Sequence, residues 1–268
     1  MSAVQAPITK DRAQIKERTL RTDNWRKTPI ITFVIFTSWV VYATVRAMMG
    51  KWYWVEEYHY LTPFYSPCVS ESCVPEAAEF GTFLPKLPFF VPFAAISLPF
   101  LLLFRLTCYY YRKAYYRSFW AAPQACAVRE PHAKYTGERR FPLIGQNLHR
   151  YFWAAAFLIS LINTWDAIKA FHGKDGGFGI GLGTLILVTN VILLWAYTLS
   201  CHSCRHVVGG RLKNFSKHPV RYWAWTQVSK LNEKHGLFAL ITLGSLVVAD
   251  LYVALVSGGA ISDLRIFN

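Results

Sequence analysis

Residues 236–257 read GLFALITLGSLVVADLYVALVS, an apolar run in which Asp250 is the one charged side chain. About 20 apolar residues in a helix are needed to cross the hydrocarbon core of a bilayer, and this run has that length. The run therefore predicts a transmembrane helix close to the C-terminal end of the sequence.

Four further runs of similar length precede it. The five predicted spans are Ile30–Met49, Leu87–Cys108, Leu148–Phe171, Ile180–Ser200 and Gly236–Ser257. Pro88, Pro92 and Pro99 lie in the second span, where each removes a backbone donor, so a kinked helix is expected there. The sequence thus predicts an all-α membrane protein with five transmembrane helices.

The composition supports this class. Of the 268 residues, 53% are hydrophobic and 16% are charged, whereas soluble domains average about 25% charged residues. Such a chain is too apolar to be intrinsically disordered. Its six cysteines are too few for a small disulfide scaffold of this length.

Lysine and arginine are distributed unevenly among the segments between the spans. Residues 1–29, 109–147 and 201–235 hold seven each, whereas residues 50–86, 172–179 and 258–268 together hold four. By the positive-inside rule the first three segments are cytoplasmic. The pattern predicts a cytoplasmic N-terminal arm (1–29), a bundle (30–257) with cytoplasmic loops 109–147 and 201–235, and an outer tail (258–268). The net charge of +14 then reflects topology in the plasma membrane and gives no support for nucleic-acid binding.

Two cysteines lie on the outer side in this topology. Cys68 and Cys73 are five positions apart in the segment CVSESC. A disulfide is the expected state in an oxidising compartment, and two unpaired thiols are the alternative.

Cysteine and histidine are grouped on the cytoplasmic side. The segment SCHSCRH (200–206) contains Cys201, Cys204 and His206, and the other loop contains Cys126 and His132. Cysteines grouped with histidines in a reduced compartment indicate a metal or cluster site. Zinc, haem and a Rieske-type [2Fe–2S] cluster all remain open at this point.

Each of these cofactors needs a different set of ligands. A haem would use His149 and His235, which open two spans from the same side, but the first two spans contain no histidine, so two stacked haems are not available. A Rieske-type cluster needs two cysteines and two histidines, which the pairs Cys126/His132 and Cys204/His206 would supply, with Cys201 as a substitute.

Charged residues also occur within or near the spans. They are Arg46, Asp166, Lys169 and Asp250. Because charges are costly in a membrane and are usually paired, we predict ion pairs between helices near the outer surface rather than a proton path.

Two blocks of sequence resemble a known family. CAVREPH (126–132) with YTGE (135–138), FP (141–142) and QNLHRY (146–151), and later SCHSCRH (200–206), are similar to the membrane-anchor (C) subunit of actinobacterial succinate dehydrogenases. The resemblance implies a flavoprotein subunit that oxidises succinate, an iron–sulfur subunit that carries the electrons, and menaquinone as the acceptor.

With this resemblance, the expected electron relay is a Rieske-like [2Fe–2S] cluster at the cytoplasmic face. Haem b is a less expected cofactor. The expected walls of the quinone site are His149, Arg150, Tyr151, Trp223, Trp225 and His235. The alternative function is a multi-span transporter or membrane scaffold with a structural zinc site on its cytoplasmic side.

Overall fold

The structure is a computed structural model that describes residues 24, 27–86, 88, 91–93, 96–116, 139 and 143–268. Within these residues the α-helices are α1 (Lys27–Met49), α2 (Ser97–Thr107), α3 (Tyr109–Tyr116), α4 (His149–Lys169), α5 (Leu182–Leu199), α6 (His202–Gly209), α7 (Pro219–Glu233) and α8 (His235–Ser257). Strand β1 (Trp54–Val55) pairs antiparallel with β2 (Tyr60–Leu61), and β3 (Ile180–Gly181) pairs antiparallel with β4 (Arg265–Phe267). Short 3-10 helices occur at Glu56–Tyr58, Pro63–Tyr65, Pro75–Ala77 and Leu143–Leu148.

Four of the predicted spans are confirmed as helices long and apolar enough to cross a membrane: α1, α4, α5 and α8. Their outward faces are also apolar. In α1, Phe36, Trp39 and Ala43 recur every three or four positions and are buried, whereas Val41 and Val45 are exposed. An apolar outer face of this kind suits hydrocarbon rather than water.

The second predicted span differs from expectation, because its helix in the structure, α2, covers only Ser97–Thr107. Eleven residues rise about 16 Å, roughly half the hydrocarbon thickness. Proline accounts for the late start, since Pro88 and Pro92 precede α2 and Pro99 is its third residue, where no intrahelical donor is lost.

The helix ends gather in two groups. We call "the basic end" the group formed by Thr107, His149, Leu199 and His235, and "the disulfide end" the group formed by Met49, Lys169, Leu182 and Ser257. The ring of Phe93 lies 5.3 Å from that of Tyr53 and 5.0 Å from that of Tyr65, both close to the disulfide end. Phe93 therefore lies near the disulfide end and Thr107 lies at the basic end, even though α2 is short.

Three helices at the basic end, α3, α6 and α7, fall in segments that the sequence assigned to loops. They are too short or too polar to register as spans. Helices α6 and α7 pack closely where Gly209 faces Trp225, since a Cβ added to Gly209 would lie 2.1 Å from the indole Cδ1. Any larger residue there would push the indole away.

A buried ion pair joins α1 to α8 near the disulfide end, as predicted for these charged residues. Arg46 Nε lies 2.6 Å from Asp250 Oδ2, and the Arg46 Nη2 atom donates to Asp250 Oδ1 at 3.2 Å. The hydroxyls of Tyr42 and Thr62 also donate to this carboxylate, at 2.6 and 2.5 Å. Asp250 is fully buried, and its carboxylate accepts four hydrogen bonds from these side chains.

The other two charged residues near the spans, Asp166 and Lys169, each contact a different side chain. Asp166 accepts a hydrogen bond from the Ser66 hydroxyl, and Lys169 lies 3.3 Å from Glu79. Both contacts tie the end of α4 to the segment between α1 and α2.

Asp263 fastens the C-terminal segment to the disulfide end. Its carboxylate accepts hydrogen bonds from the Tyr60 and Tyr252 hydroxyls at 2.9 and 2.7 Å and from the Gly183 amide at 3.0 Å. Gly183 is required by the close approach of Tyr60, whose ring carbon would lie 2.3 Å from an added Cβ.

Candidate metal centre and adjoining cavity

Four side chains that can bind metal lie at the basic end, each beside the end of a different helix: Cys108 after α2, His149 at the start of α4, Cys201 after α5 and His235 at the start of α8. Both cysteines are 1% exposed and His235 is 2% exposed. The alternating helix directions bring these residues together, although up to 127 positions separate them in sequence.

The first pair is His149 with Cys201. The Nε2 atom of His149 lies 3.2 Å from the Cys201 sulfur, and its Nδ1 atom lies 2.7 Å from the Thr107 hydroxyl oxygen. The Thr107 hydroxyl donates its single proton to the Leu103 carbonyl at 2.8 Å, so it accepts from Nδ1–H. The Nε2 atom then carries the lone pair and faces sulfur.

The second pair, His235 with Cys108, repeats this arrangement. Nε2 of His235 lies 3.5 Å from the Cys108 sulfur, and Nδ1 lies 2.7 Å from the Ser200 hydroxyl oxygen. That hydroxyl donates to the Tyr197 carbonyl at 3.0 Å, so it also accepts from the imidazole. Metal-binding histidines are commonly oriented in this way through the second ring nitrogen.

Aromatic rings hold both imidazoles in place. The Phe104 ring stacks on His149 with centroids 5.1 Å apart, and the Tyr197 ring stacks on His235 at 5.0 Å and an interplanar angle of 7°. Tyr110 contacts His235 edge-on at 5.5 Å. The two histidines are therefore restrained by hydrogen bonds and by packing.

Burial changes the acidity of the two thiols. It raises the pKa of Cys201 to about 12, with the neighbouring Cys108 thiol as the next cause, and it also raises the pKa of Cys108. Both thiols are therefore protonated at neutral pH unless a cation replaces the protons. Metal binding releases such protons, since the thiolate is the ligand.

A buried arginine, Arg105, lies beside these pairs with no carboxylate partner in the described residues. Its Nη1 atom donates to the Tyr111 hydroxyl at 2.8 Å, the Thr242 hydroxyl at 3.1 Å and the Ala239 carbonyl at 3.3 Å. Its Nε atom has no hydrogen-bond partner. Within the described residues, a positive charge is thus held inside the bundle by neutral groups alone.

The donor arrangement distinguishes between kinds of metal site. In the described part of the chain, no three His, Cys, Asp or Glu side chains converge on one point where a metal ion could bind. A single zinc ion needs four ligands around one centre. A binuclear iron–sulfur cluster needs two protein ligands for each iron, so separate donors are compatible with it.

A cavity of about 350 Å³ lies between helices α6 and α7. It begins at His202, the residue after Cys201, and is lined by His202, Arg205, His206, Gly209, Gly210, Arg211 and Trp225. The guanidinium of Arg205 lies 4.8 Å from the Trp225 ring centre. The volume of the cavity falls at the lower end of the range for small-molecule sites. The lining of the cavity combines one aromatic wall with cationic donors.

Partial burial and two neighbouring residues affect the protonation of His202. Partial burial lowers the pKa of His202, and the neighbouring Arg205 and His206 lower it further. His202 is therefore neutral at pH 7, with one ring nitrogen able to donate a hydrogen bond and the other able to accept one.

A family model for the actinobacterial succinate dehydrogenase subunit SdhC matches residues 27–259 of this chain. The chain belongs to this family. Among solved structures, a chain of the Mycobacterium smegmatis Sdh1 complex in the apo form is 67% identical, with 97% of this chain and 98% of that chain covered and a TM-score of 0.88. A comparison with curated proteins gave no match.

Membership of the actinobacterial SdhC family confirms the resemblance noted in the sequence. The chain is a membrane-anchor subunit of succinate dehydrogenase, an oxidoreductase. With four apolar helices of membrane-crossing length, it is a multi-pass protein of the plasma membrane.

The ligands predicted for this SdhC chain are only partly brought together. Cys126 and His132 lie outside the described residues. Cys204 is buried whereas His206 is exposed, because two positions on helix α6 correspond to a rotation of about 200°. Of the predicted ligands that the structure describes, Cys201 alone lies in a Cys–His pair, and its partner is His149.

The residues predicted to line a quinone site are also dispersed. His149 and His235 belong to the Cys–His pairs, and Trp225 lines the cavity. Arg150, Tyr151 and Trp223 are exposed on the outside of the bundle, with Tyr151 at 60% and Trp223 at 64%.

At the opposite end, Cys68 and Cys73 are joined by a disulfide with an S–S distance of 2.14 Å.

Sequence reasoning missed Cys108 as a partner of the histidines. A signal was present, because Cys108 and Cys201 close two spans and His149 and His235 open two others, all on the side richer in lysine and arginine. The short-range grouping of Cys204 with His206 was the more conspicuous pattern.

Proposed function

We propose that this SdhC chain passes electrons from succinate oxidation to menaquinone through a Rieske-type [2Fe–2S] cluster. The proposed ligands are Cys108, Cys201, His149 and His235. The observation that carries the proposal is the pair of close Cys–His contacts, in which Nε2 of each imidazole faces a cysteine sulfur. When bound, such a cluster would accept and release one electron at a time.

The donor set matches this cluster in number and kind. A Rieske-type centre takes two cysteines on one iron and two histidines on the other. Cys108, Cys201 and His235 are buried and His149 is partly buried. Hydroxyls orient the two histidines, and a cationic centre would take the place of the two thiol protons. Haem is less suited, because each Nε2 faces a sulfur atom.

The rival function, a transporter or scaffold with a structural zinc site, has less support. Zinc would need a convergent set of ligands, and none occurs in the described residues. Family membership also assigns the chain to an oxidoreductase.

The proposed partners are a flavoprotein subunit and an iron–sulfur subunit, docked at the basic end, with that end on the cytoplasmic side. The relative in the Sdh1 complex supports assembly of this kind. Exposed apolar residues at the basic end, including Val207 and Val220, suit a protein contact. Docking there would bring the partner's iron–sulfur centres close to the Cys–His pairs.

The cavity beside His202 is our proposed site for the menaquinone headgroup. Trp225 would pack against the flat ring, while Arg205 and His206 would donate hydrogen bonds to a quinone carbonyl. Reduction of one quinone consumes two electrons and two protons, and the neutral His202 would relay protons from water.

Metal analysis of the purified complex tests the proposal. We expect two iron atoms and two acid-labile sulfides beyond the content of the partner subunits, and an EPR-active centre with a midpoint potential of about −150 to +300 mV, as for Rieske-type clusters. Stoichiometric zinc in place of this additional iron would overturn it.

Substitution of Trp225 tests the quinone site. We expect Trp225→Ala to raise KM for menaquinone about tenfold with a smaller change in kcat, since one aromatic contact contributes about 0.5–1.5 kcal/mol beyond area burial. Steady-state quinone reduction is measured, with succinate oxidation by an artificial acceptor as the reference. Trp223→Ala is the matched control, and equal KM values for the two variants would exclude this cavity.

A further inference from the structure

The starting observation is the uncompensated charge of Arg105. This side chain is 1% exposed, and arginine stays protonated in proteins. Burial of an unpaired charge is costly, so such groups are normally matched by a carboxylate. Among the described residues Arg105 contacts hydroxyls and a carbonyl, and its Nε atom has no partner.

Aromatic rings surround the guanidinium and give it only part of the missing compensation. The central carbon lies 4.9 Å from the ring centre of Tyr197, 5.2 Å from that of Trp39 and 5.8 Å from that of Tyr111. Cation–π contacts stabilise a cation but carry no net negative charge. Counting the side chains that the structure describes, the region therefore remains positive.

The charge is close to the proposed ligands. The Tyr197 ring contacts both the Arg105 guanidinium and, at 5.0 Å, the His235 ring. Cys108 is also joined to the arginine by a backbone hydrogen bond from its amide to the Arg105 carbonyl at 3.1 Å. The guanidinium therefore lies within about 10 Å of the His235 ring, and at an effective dielectric constant near 20 a unit charge at that distance shifts a one-electron equilibrium by about tenfold or more.

We propose that Arg105 is a positioning residue that raises the reduction potential of the centre held by Cys108, Cys201, His149 and His235. Each electron arriving from the iron–sulfur partner adds one negative charge at that centre, and the guanidinium stabilises this added charge. Two such electrons, with two protons, convert one quinone to quinol. This inference rests on the proposed cluster.

The hydrogen bonds to Arg105 suggest a substitution that keeps the arginine but cancels its charge. Thr242 is fully buried and accepts from the guanidinium at 3.1 Å. Thr242→Asp would place a carboxylate against Arg105 and supply the partner that it lacks. Thr242→Asn has nearly the same shape without the charge and is the matched control.

EPR-monitored redox titration of the intact complex tests the inference. We expect Thr242→Asp to shift the equilibrium toward the oxidised form at least tenfold relative to Thr242→Asn, which is about 59 mV for a one-electron couple. Arg105→Gln should shift it in the same direction, whereas Arg105→Lys, which keeps the charge, should shift it less. Lys230→Gln removes an exposed cation from α7 and should leave the potential unchanged.

The outcomes separate this inference from the proposed function. If the EPR signal of the centre is present and its midpoint potential is the same in Thr242→Asp and Thr242→Asn, the role of Arg105 is overturned. The proposal of the cluster itself would be unaffected. Absence of such a centre from the unsubstituted complex would refute both. If Arg105→Gln does not assemble, the Thr242 pair still decides the question, because the arginine is retained.

Discussion

Cys201→Ala is expected to lower succinate:quinone reductase activity by more than about 100-fold while succinate oxidation by an artificial acceptor continues. Loss of even a residue that orients a metal ligand costs about 10–100-fold in affinity or activity, and Cys201 is proposed as a ligand itself. The two activities are measured on the same purified complex, together with its iron content. Both the iron of the anchor and its EPR signal should be lost.

Cys204→Ala is the matched control for this prediction. Cys204 lies three residues further along, and it too is buried, but it belongs to neither Cys–His pair. We expect full iron content and quinone reduction in this variant. Loss of the centre from Cys204→Ala with retention in Cys201→Ala would assign the ligand to the other cysteine and contradict the geometry described above.

Asp250→Ala is expected to destabilise the folded anchor by about 3–5 kcal/mol, the usual cost of removing one partner from a buried ion pair. Arg46 would keep its charge in a buried site, and the hydroxyls of Tyr42 and Thr62 would lose their acceptor. The anchor in detergent is heated to a series of temperatures, and the folded fraction that remains is measured by size-exclusion chromatography. The quantity compared is the temperature at which half of the folded fraction is lost.

The double variant Arg46→Met/Asp250→Leu distinguishes the effect of losing the ion pair from the effect of leaving an isolated charge in a buried site. Replacement of both partners by apolar residues is often neutral or stabilising, so this protein should recover most of the lost stability. A single variant Asp250→Ala that is as stable as the unsubstituted protein would show that the ion pair has no structural role.

Hydropathy predicted the long helices well because a bilayer imposes one length on every span. Helix α8 begins at His235 and ends at Ser257, within one residue of the predicted span. The shortened α2 could also be anticipated in part, since three prolines marked the second span as irregular. How many residues would remain helical depends on packing that proline positions do not specify.

The candidate site was less predictable for a geometric reason. Cys108 and His235 are 127 positions apart and meet only because α2 ends where α8 begins. Cys204 and His206 are neighbours in sequence, yet they point to different sides of α6. The side of the membrane and the residue types were accessible from the sequence, whereas the pairing required the packing of four helix ends.

The two ends of the bundle differ in how firmly they are fastened, and this difference bears on motion. At the disulfide end, Asp250 and Asp263 each collect several donors, and the C-terminal strand is paired with β3. At the basic end, α7 has no buried residue. Regions with few buried contacts open first in local unfolding. Amide hydrogens of α7 should therefore exchange with solvent much faster than those at the ends of α1 and α8, so the end proposed to receive the partner subunits is also the one able to adjust its shape to them.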